Sequence, residues 1–215
     1  MKALYLCLSV VSYVILGCAT DSATVPQEPS VATVKIGKQV WMTKNLNVSR
    51  FRNGDSIPEA ETVAEWIASG LASQPAWCYY DHDPANGPSY GKLYNWFAVN
   101  DPRGLAPDGY HVASSAEWES LIDEVGGYQN AGAALRSPTG WISGNGTNSI
   151  GFWAMPAGAR DEDDFSHKGA FGIWWTSTED DSARAEMVLI NAEDASTSTY
   201  HKFKGNGYSV RCVQD

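Results

Sequence analysis

Apolar positions follow two different periods along this chain, and the change between them outlines its architecture. Val34 to Ile36 and Val40 to Met42 are strand-like runs separated by Gly37-Lys38, a two-residue gap that predicts a hairpin. Glu59 to Ser69 then takes helical spacing, with Val63, Trp66 and Ile67 on one face and Gly70 as its stop. The helix that follows is better defined. Ser114 and Glu117 form a capping-box pattern, and Trp118, Leu121, Ile122 and Val125 recur on one face before Gly126-Gly127 end it. A shorter helix is expected over Ala131 to Arg136. From Gly151 onward the chain reads as strands: Phe152 to Met155, Trp174 to Thr176, Arg184 to Ile190, Thr197 to Phe203 and Tyr208 to Val213. Lys204-Gly205-Asn206-Gly207 reads as the turn joining the last two of these. Helices first and a meander of strands later predict an α+β domain, with the Ser114 helix packed on the C-terminal sheet. The connections Leu135 to Ile150 and Ala157 to Gly172 are long and rich in Gly, Asn and Asp, and long loops on a compact scaffold are where binding function sits. No internal repeat is present.

The N-terminus has a different character. Lys2 precedes an apolar run, Ala3 to Leu16, that is shorter than the roughly 20 residues of a membrane-spanning helix and reads as an export signal. It ends in Ile15-Leu16-Gly17-Cys18, a lipobox-like sequence in which Cys18 would be acylated and hold the protein at a membrane. Ordinary cleavage near Ala19 is the alternative. Ala19 is not the aspartate that retains some lipoproteins at the inner membrane, so the outer membrane or cell surface is the expected location. The expected organisation is a lipoprotein signal over residues 1–17, a Pro-containing tether over 18–33 and one domain over 34–215. With Cys7 in the signal and Cys18 acylated, Cys78 and Cys212 remain. An even pair in an oxidising compartment predicts a disulfide worth about 4–5 kcal/mol on the chain-entropy model. Two buried free thiols are the alternative, and no sequence-local His supports a catalytic thiol.

Composition narrows the partners. The chain has 215 residues and is 43% hydrophobic, enough for one full core with nine Trp and ten Tyr to bury. The net charge of -10 and the lack of a basic cluster exclude a nucleic-acid partner, because phosphate binding needs concentrated Lys and Arg.

Five aromatic and glycine-rich motifs run in order: Tyr90-Gly91-Lys92-Leu93-Tyr94-Asn95-Trp96, Asp108-Gly109-Tyr110-His111-Val112, Gly151-Phe152-Trp153-Ala154-Met155-Pro156-Ala157-Gly158, Trp174-Trp175-Thr176-Ser177-Thr178-Glu179 and Gly207-Tyr208-Ser209-Val210-Arg211-Cys212-Val213. Together with Ile36 to Leu46 they resemble the Fibrobacter succinogenes major paralogous domain family over roughly Thr33 to Asp215. The resemblance implies a relative of the C-type-lectin-like fold, which also includes formylglycine-generating enzymes and adhesin tips. It implies two main helices, short and mainly antiparallel strands, long loops and pairing of the N- and C-terminal strands. It also implies a secreted or lipid-anchored protein. The family brings no defined activity, and so no catalytic or binding residues to transfer.

The residues themselves offer few chemical constellations. Asp161, Glu162, Asp163 and Asp164 form an acidic loop that suits Ca²⁺, but Phe165 breaks the EF-hand pattern and a solvated loop is the simpler reading. Asp81-His82-Asp83 fails a calcium pattern at Ala85 and Lys92, and Glu179-Asp180-Asp181 reads as a loop. His82, His111, His167 and His201 lack zinc spacing, and His111, in an apolar run, is expected to be a satisfied buried imidazole. No Gly-x-Ser-x-Gly elbow occurs, and no carboxylate pair stands out. Trp96, Trp118, Trp153, Trp174 and Trp175 are expected in the core. Trp141, among glycines, is either a loop anchor or an exposed stacking platform for a sugar. The expectation is therefore a lipid-anchored, non-enzymatic module binding a glycan or protein, with Trp141, Asp161, Asp163 and Asp164 as candidate ligand residues. No catalytic residue, metal site or cofactor is expected, Ca²⁺ lacking a complete motif. The alternatives are an enzyme, either a hydrolase or a divergent relative of the formylglycine-generating oxidases, and a structural subunit of a surface assembly.

Overall fold

The computed structural model describes residues 31–215; the signal over 1–17, the Cys18 lipidation site and the tether as far as residue 30 lie outside the described residues. In chain order the elements are β1 (Thr33–Ile36), β2 (Gln39–Met42), α1 (Val63–Leu71), β3 (Trp77–Cys78), α2 (Gly87–Tyr90), β4 (Leu93–Tyr94), α3 (Trp96–Val99), β5 (Tyr110–Val112), α4 (Ser115–Glu124), α5 (Ala131–Leu135), β6 (Ala159–Arg160), β7 (Phe165–Ser166), β8 (Phe171–Glu179), β9 (Arg184–Asn191), β10 (Thr197–Phe203), β11 (Ser209–Val210) and β12 (Cys212–Gln214). This is an α+β domain with mainly antiparallel pairing.

One sheet has the order β1-β2-β12-β5 and is antiparallel throughout, so the N-terminal hairpin pairs with the C-terminal strand. Gly37, at φ +56, makes the hairpin turn. The second sheet has the order β10-β9-β8-β11. β8 carries the core on both faces because successive side chains of a strand point to opposite sides. Trp174 joins Trp41, Trp118 and Phe152 in one cluster, and Trp175 joins Tyr94, Trp96 and Tyr208 in the other.

Local chemistry explains α4. Ser114 accepts from Glu117 N–H while the Glu117 carboxylate accepts from Ser114 N–H at 2.8 Å, so the predicted capping box is formed. The helix buries Trp118, Leu121 and Ile122. The Trp118 ring lies 5.0 Å from Trp41 and 5.6 Å from Trp174, so α4 fills the space between the two sheets.

Four expectations are corrected. α1 starts at Val63, capped by Thr62, and buries only Trp66 and Gly70; Val63 and Ile67 face solvent. The cause is backbone proximity: a Cβ on Gly70 would stand 3.4 Å from Gly205 Cα, so the face carrying Trp66 and Gly70 turns inward. Phe152 to Met155 is not a strand, because Trp153 has φ +60 and the run makes only one bridge, Ala154 to Arg136. Lys204 to Gly207 does not close a hairpin. β10 pairs with β9, and β11 lies parallel to β8 on the other side of the sheet.

The fourth correction concerns the cysteines: Cys78 and Cys212 are free and buried. Cys78 packs with Trp66, Tyr80 and Leu93, whereas Cys212 packs with Met42, Tyr94 and Val210, so the fold assigns them to different clusters. Burial pushes both thiols up to about 12, which leaves them inert. Reductant is therefore expected to leave the unfolding midpoint unchanged, where loss of a disulfide would cost about 4–5 kcal/mol. A thiol reagent should reach Cys78 and Cys212 only as the domain unfolds. Reaction under native conditions, or a reductant-dependent midpoint, would contradict this.

Candidate functional site

The loop after Gly151 presents the most unusual backbone position of the domain. Trp153 is 42% exposed and stands in the left-handed region at φ +60, a conformation that costs a bulky residue on the order of 1–3 kcal/mol. Its N–H donates to Asn148 Oδ1 at 2.7 Å and its carbonyl accepts from Arg211 Nη2 at 2.8 Å. Arg211 is fully buried and also donates to Phe152 O, Met42 O and Asn45 Oδ1. Asn45 is in turn fixed by Trp174 Nε1, which donates to its Oδ1, and by its own bonds to Tyr90 O and Ser209 Oγ. The strained, solvent-facing indole thus rests on a rigid buried polar network. It borders a hollow of about 280 Å³ whose other walls include Thr43, Lys44, Ser89, Thr139 and Met155.

A second, more open cleft of about 560 Å³ lies over Trp77. Lys92 is only 4% exposed, and its ammonium stands 3.8 Å above the Trp77 ring and 5.2 Å from that of Tyr79. Burial pushes the Lys92 ammonium below its ordinary value against the pull of Glu59. Burial also pushes the Glu59 carboxyl up, with Glu61 adding to the effect and Lys92 opposing it. The two hollows share lining segments. Thr43 and Lys44 line the first and Ser49 and Arg50 the second, while Pro88 and Ser89 face one and Pro84 and Lys92 the other.

The residues singled out from sequence fall elsewhere. Trp141 is 6% exposed, donates from Nε1 to Ser137 Oγ and Ala154 O, and belongs to the cluster around α4. It is a loop anchor, and the platform reading is corrected. Asp161, Asp163 and Asp164 sit at the tip of the β6–β7 hairpin. Asp161 accepts from Ser166 Oγ and Asp164 from Phe165 N–H, so these two carboxylates shape the turn. Neither Trp141 nor this tip lines the Trp153 hollow. Among the described residues no group of three or more His, Cys, Asp or Glu is placed to hold a metal ion.

His111 is half-exposed, not buried, and lies between Glu117 Oε1 at 2.6 Å and Asp215 Oδ1 at 2.8 Å. Burial lowers its pKa, but the bonds to Asp215 and Glu117 outweigh that and raise it. The hydroxyl of Ser114 donates to Glu117 Oε2 and so points at a carboxylate. His111 therefore ties β5 to the start of α4 and does not activate a nucleophile.

Sequence reading assigned Trp153 to the core and gave Lys92 no role beyond breaking a calcium pattern. No local signal marked Trp153, because its exposure depends on the left-handed conformation at φ +60 that interrupts the run expected as a strand. A family model described as Fibrobacter succinogenes major domain matches residues 34–214. No curated protein and no solved structure matches the chain.

Proposed function

The chain belongs to the Fibrobacter succinogenes major domain family, and from that premise we propose that it is a lipid-anchored, non-enzymatic binding module of the cell surface that takes a glycan on Trp153. One observation carries this reading: a solvent-facing indole held in a costly backbone conformation by a buried Arg–Asn network. Backbone strain gathers at ligand clamps and binding sites, so strain kept at an exposed aromatic supports the reading of a presented group. The neighbouring side chains suit a sugar. Thr43, Ser89 and Thr139 bring hydroxyls, Lys44 a donor, and Met155 an apolar wall beside the ring. Pairing of the N-terminal hairpin with β12 through β2, together with two principal helices, supports a C-type-lectin-like architecture. The lipobox at Cys18 supports the membrane anchor.

The test is a glycan array followed by calorimetry on the best hit, with wild type and Trp153→Ala side by side. Removing the ring is expected to weaken binding about tenfold or more, or 1.4 kcal/mol. The unfolding midpoint is expected to fall modestly, because the part of the ring that is buried is lost while alanine keeps most of the left-handed penalty, so affinity is compared under conditions where both proteins are folded. A blank array with wild type, or equal affinity of the two proteins, would count against the glycan reading.

A further inference from the structure

We propose that the cleft over Trp77 is a second binding site, independent of Trp153, and that it takes the carboxylate of an acidic sugar on the Lys92 ammonium.

Lys92 is the observation that points to a ligand. An ammonium has three donors, and among the described residues the Lys92 ammonium makes no hydrogen bond and no ion pair within 4.0 Å. Its stem is buried and one side of the charge rests on the Trp77 ring. The Trp77 and Tyr79 rings face the charge but accept none of its hydrogen bonds, and the cleft is where an acceptor can approach. Arg50 lines the same cleft and uses one nitrogen on Gly54 O, which leaves the rest of its fork for a ligand.

The charges choose among anions. Arg50 and Lys92 face a single carboxylate, that of Glu59, in the same cleft. A singly charged group balances this set, whereas a dianion such as inorganic sulfate or a phosphate monoester would be driven against Glu59. The remaining lining suits the body of a sugar ring, with hydroxyls at Ser49 and Ser56 and the flat face of Tyr79. Trp77 Nε1 already donates to Ile57 O at 2.9 Å, so the indole N–H is a fixed reporter at the floor of the cleft.

The experiment follows the Trp77 indole N–H resonance of the purified protein during titration with galacturonate, galactose and inorganic sulfate. Galacturonate is expected to shift that resonance saturably, with galactose and sulfate at least tenfold weaker. Lys92→Met, which keeps the stem over Trp77 and removes the charge, is expected to weaken galacturonate binding tenfold or more. Two exposed-side variants keep the test open should that protein fold poorly. Arg50→Gln is expected to weaken binding several-fold and Glu59→Gln to strengthen it several-fold. Trp153→Ala should leave the galacturonate shift unchanged, so that failure at one site is separable from failure at the other. The proposal is overturned if galacturonate leaves Trp77 unmoved, if galactose or sulfate binds as well, if Lys92→Met binds normally, or if Glu59→Gln weakens binding.

Discussion

Replacing Arg211 with methionine is expected to lower the unfolding free energy by about 3–5 kcal/mol, enough to unfold many domains outright. The guanidinium is fully buried and donates to Asn45 Oδ1 at 2.8 Å, Met42 O at 2.7 Å, Phe152 O at 2.8 Å and Trp153 O at 2.8 Å. Burial pushes it down to about 9, so it remains charged at neutral pH and depends on those acceptors. Methionine fills the volume but strands buried carbonyls, each costing roughly 1–3 kcal/mol. Arg160 provides the control. It is equally buried, lies 4.7 Å from the Phe165 ring, and none of its side-chain nitrogens has a hydrogen-bond partner among the described residues. Arg160→Met strands no acceptor and is expected to be neutral or stabilising. Urea unfolding of both variants checks the pair, and equal losses would show that burial of charge alone, not the acceptor network, sets the cost.

Gly158→Ala is expected to cost about 3 kcal/mol or more, through backbone crowding. Gly158 has φ +71, and a Cβ there would lie 2.4 Å from Ser166 O and 2.6 Å from Lys168 N, neither of which can swing aside. Gly109 has nearly the same conformation, φ +76, with nothing within 4 Å of its missing Cβ. Alanine at Gly109 should therefore cost only the left-handed penalty, about 1–2 kcal/mol. The difference between the two variants isolates the steric part. If the variants unfold at the same urea concentration, the contact at Gly158 is softer than its geometry implies.

What sequence made legible follows the range of the interactions involved. The capping box at Ser114 and Glu117 is local chemistry, and α4 appears where that pattern places it. β10 keeps its predicted bounds, and β9 runs one residue beyond its own, because β-branched and aromatic residues between Gly or acidic punctuation are a strong local signal. Tyr208 to Val213 reads as one strand, yet it becomes β11 and β12 because Arg211 between them sends its side chain to the 152–153 loop. The cysteine pairing depended on which clusters the strands joined, a three-dimensional fact that spacing does not carry. Trp141 and Trp153 illustrate the same limit at the candidate site. Sequence alone leaves Trp141, beside Gly140, as either an anchor or a platform and places Trp153 in the core. Arg136, whose guanidinium lies 5.6 Å from the Trp141 ring, and Ser137 make Trp141 the anchor, and Arg211 makes Trp153 the presented ring. Lys92 passed unnoticed because only the fold brings Trp77 beneath it.

The position of β12 also governs when this domain can form during synthesis. β12 lies between β2 and β5, with Val213 opposite both Trp41 and His111, and β5 has no other strand partner among the described residues. A ribosome must therefore release residues 209–214 before the first sheet is whole and before Arg211 reaches its acceptors. Pairings this distant in sequence form late and slowly. Until β12 is available the N-terminal hairpin and β5 have no strand between them, so this sheet closes only after the β8–β9–β10 ladder can already have formed.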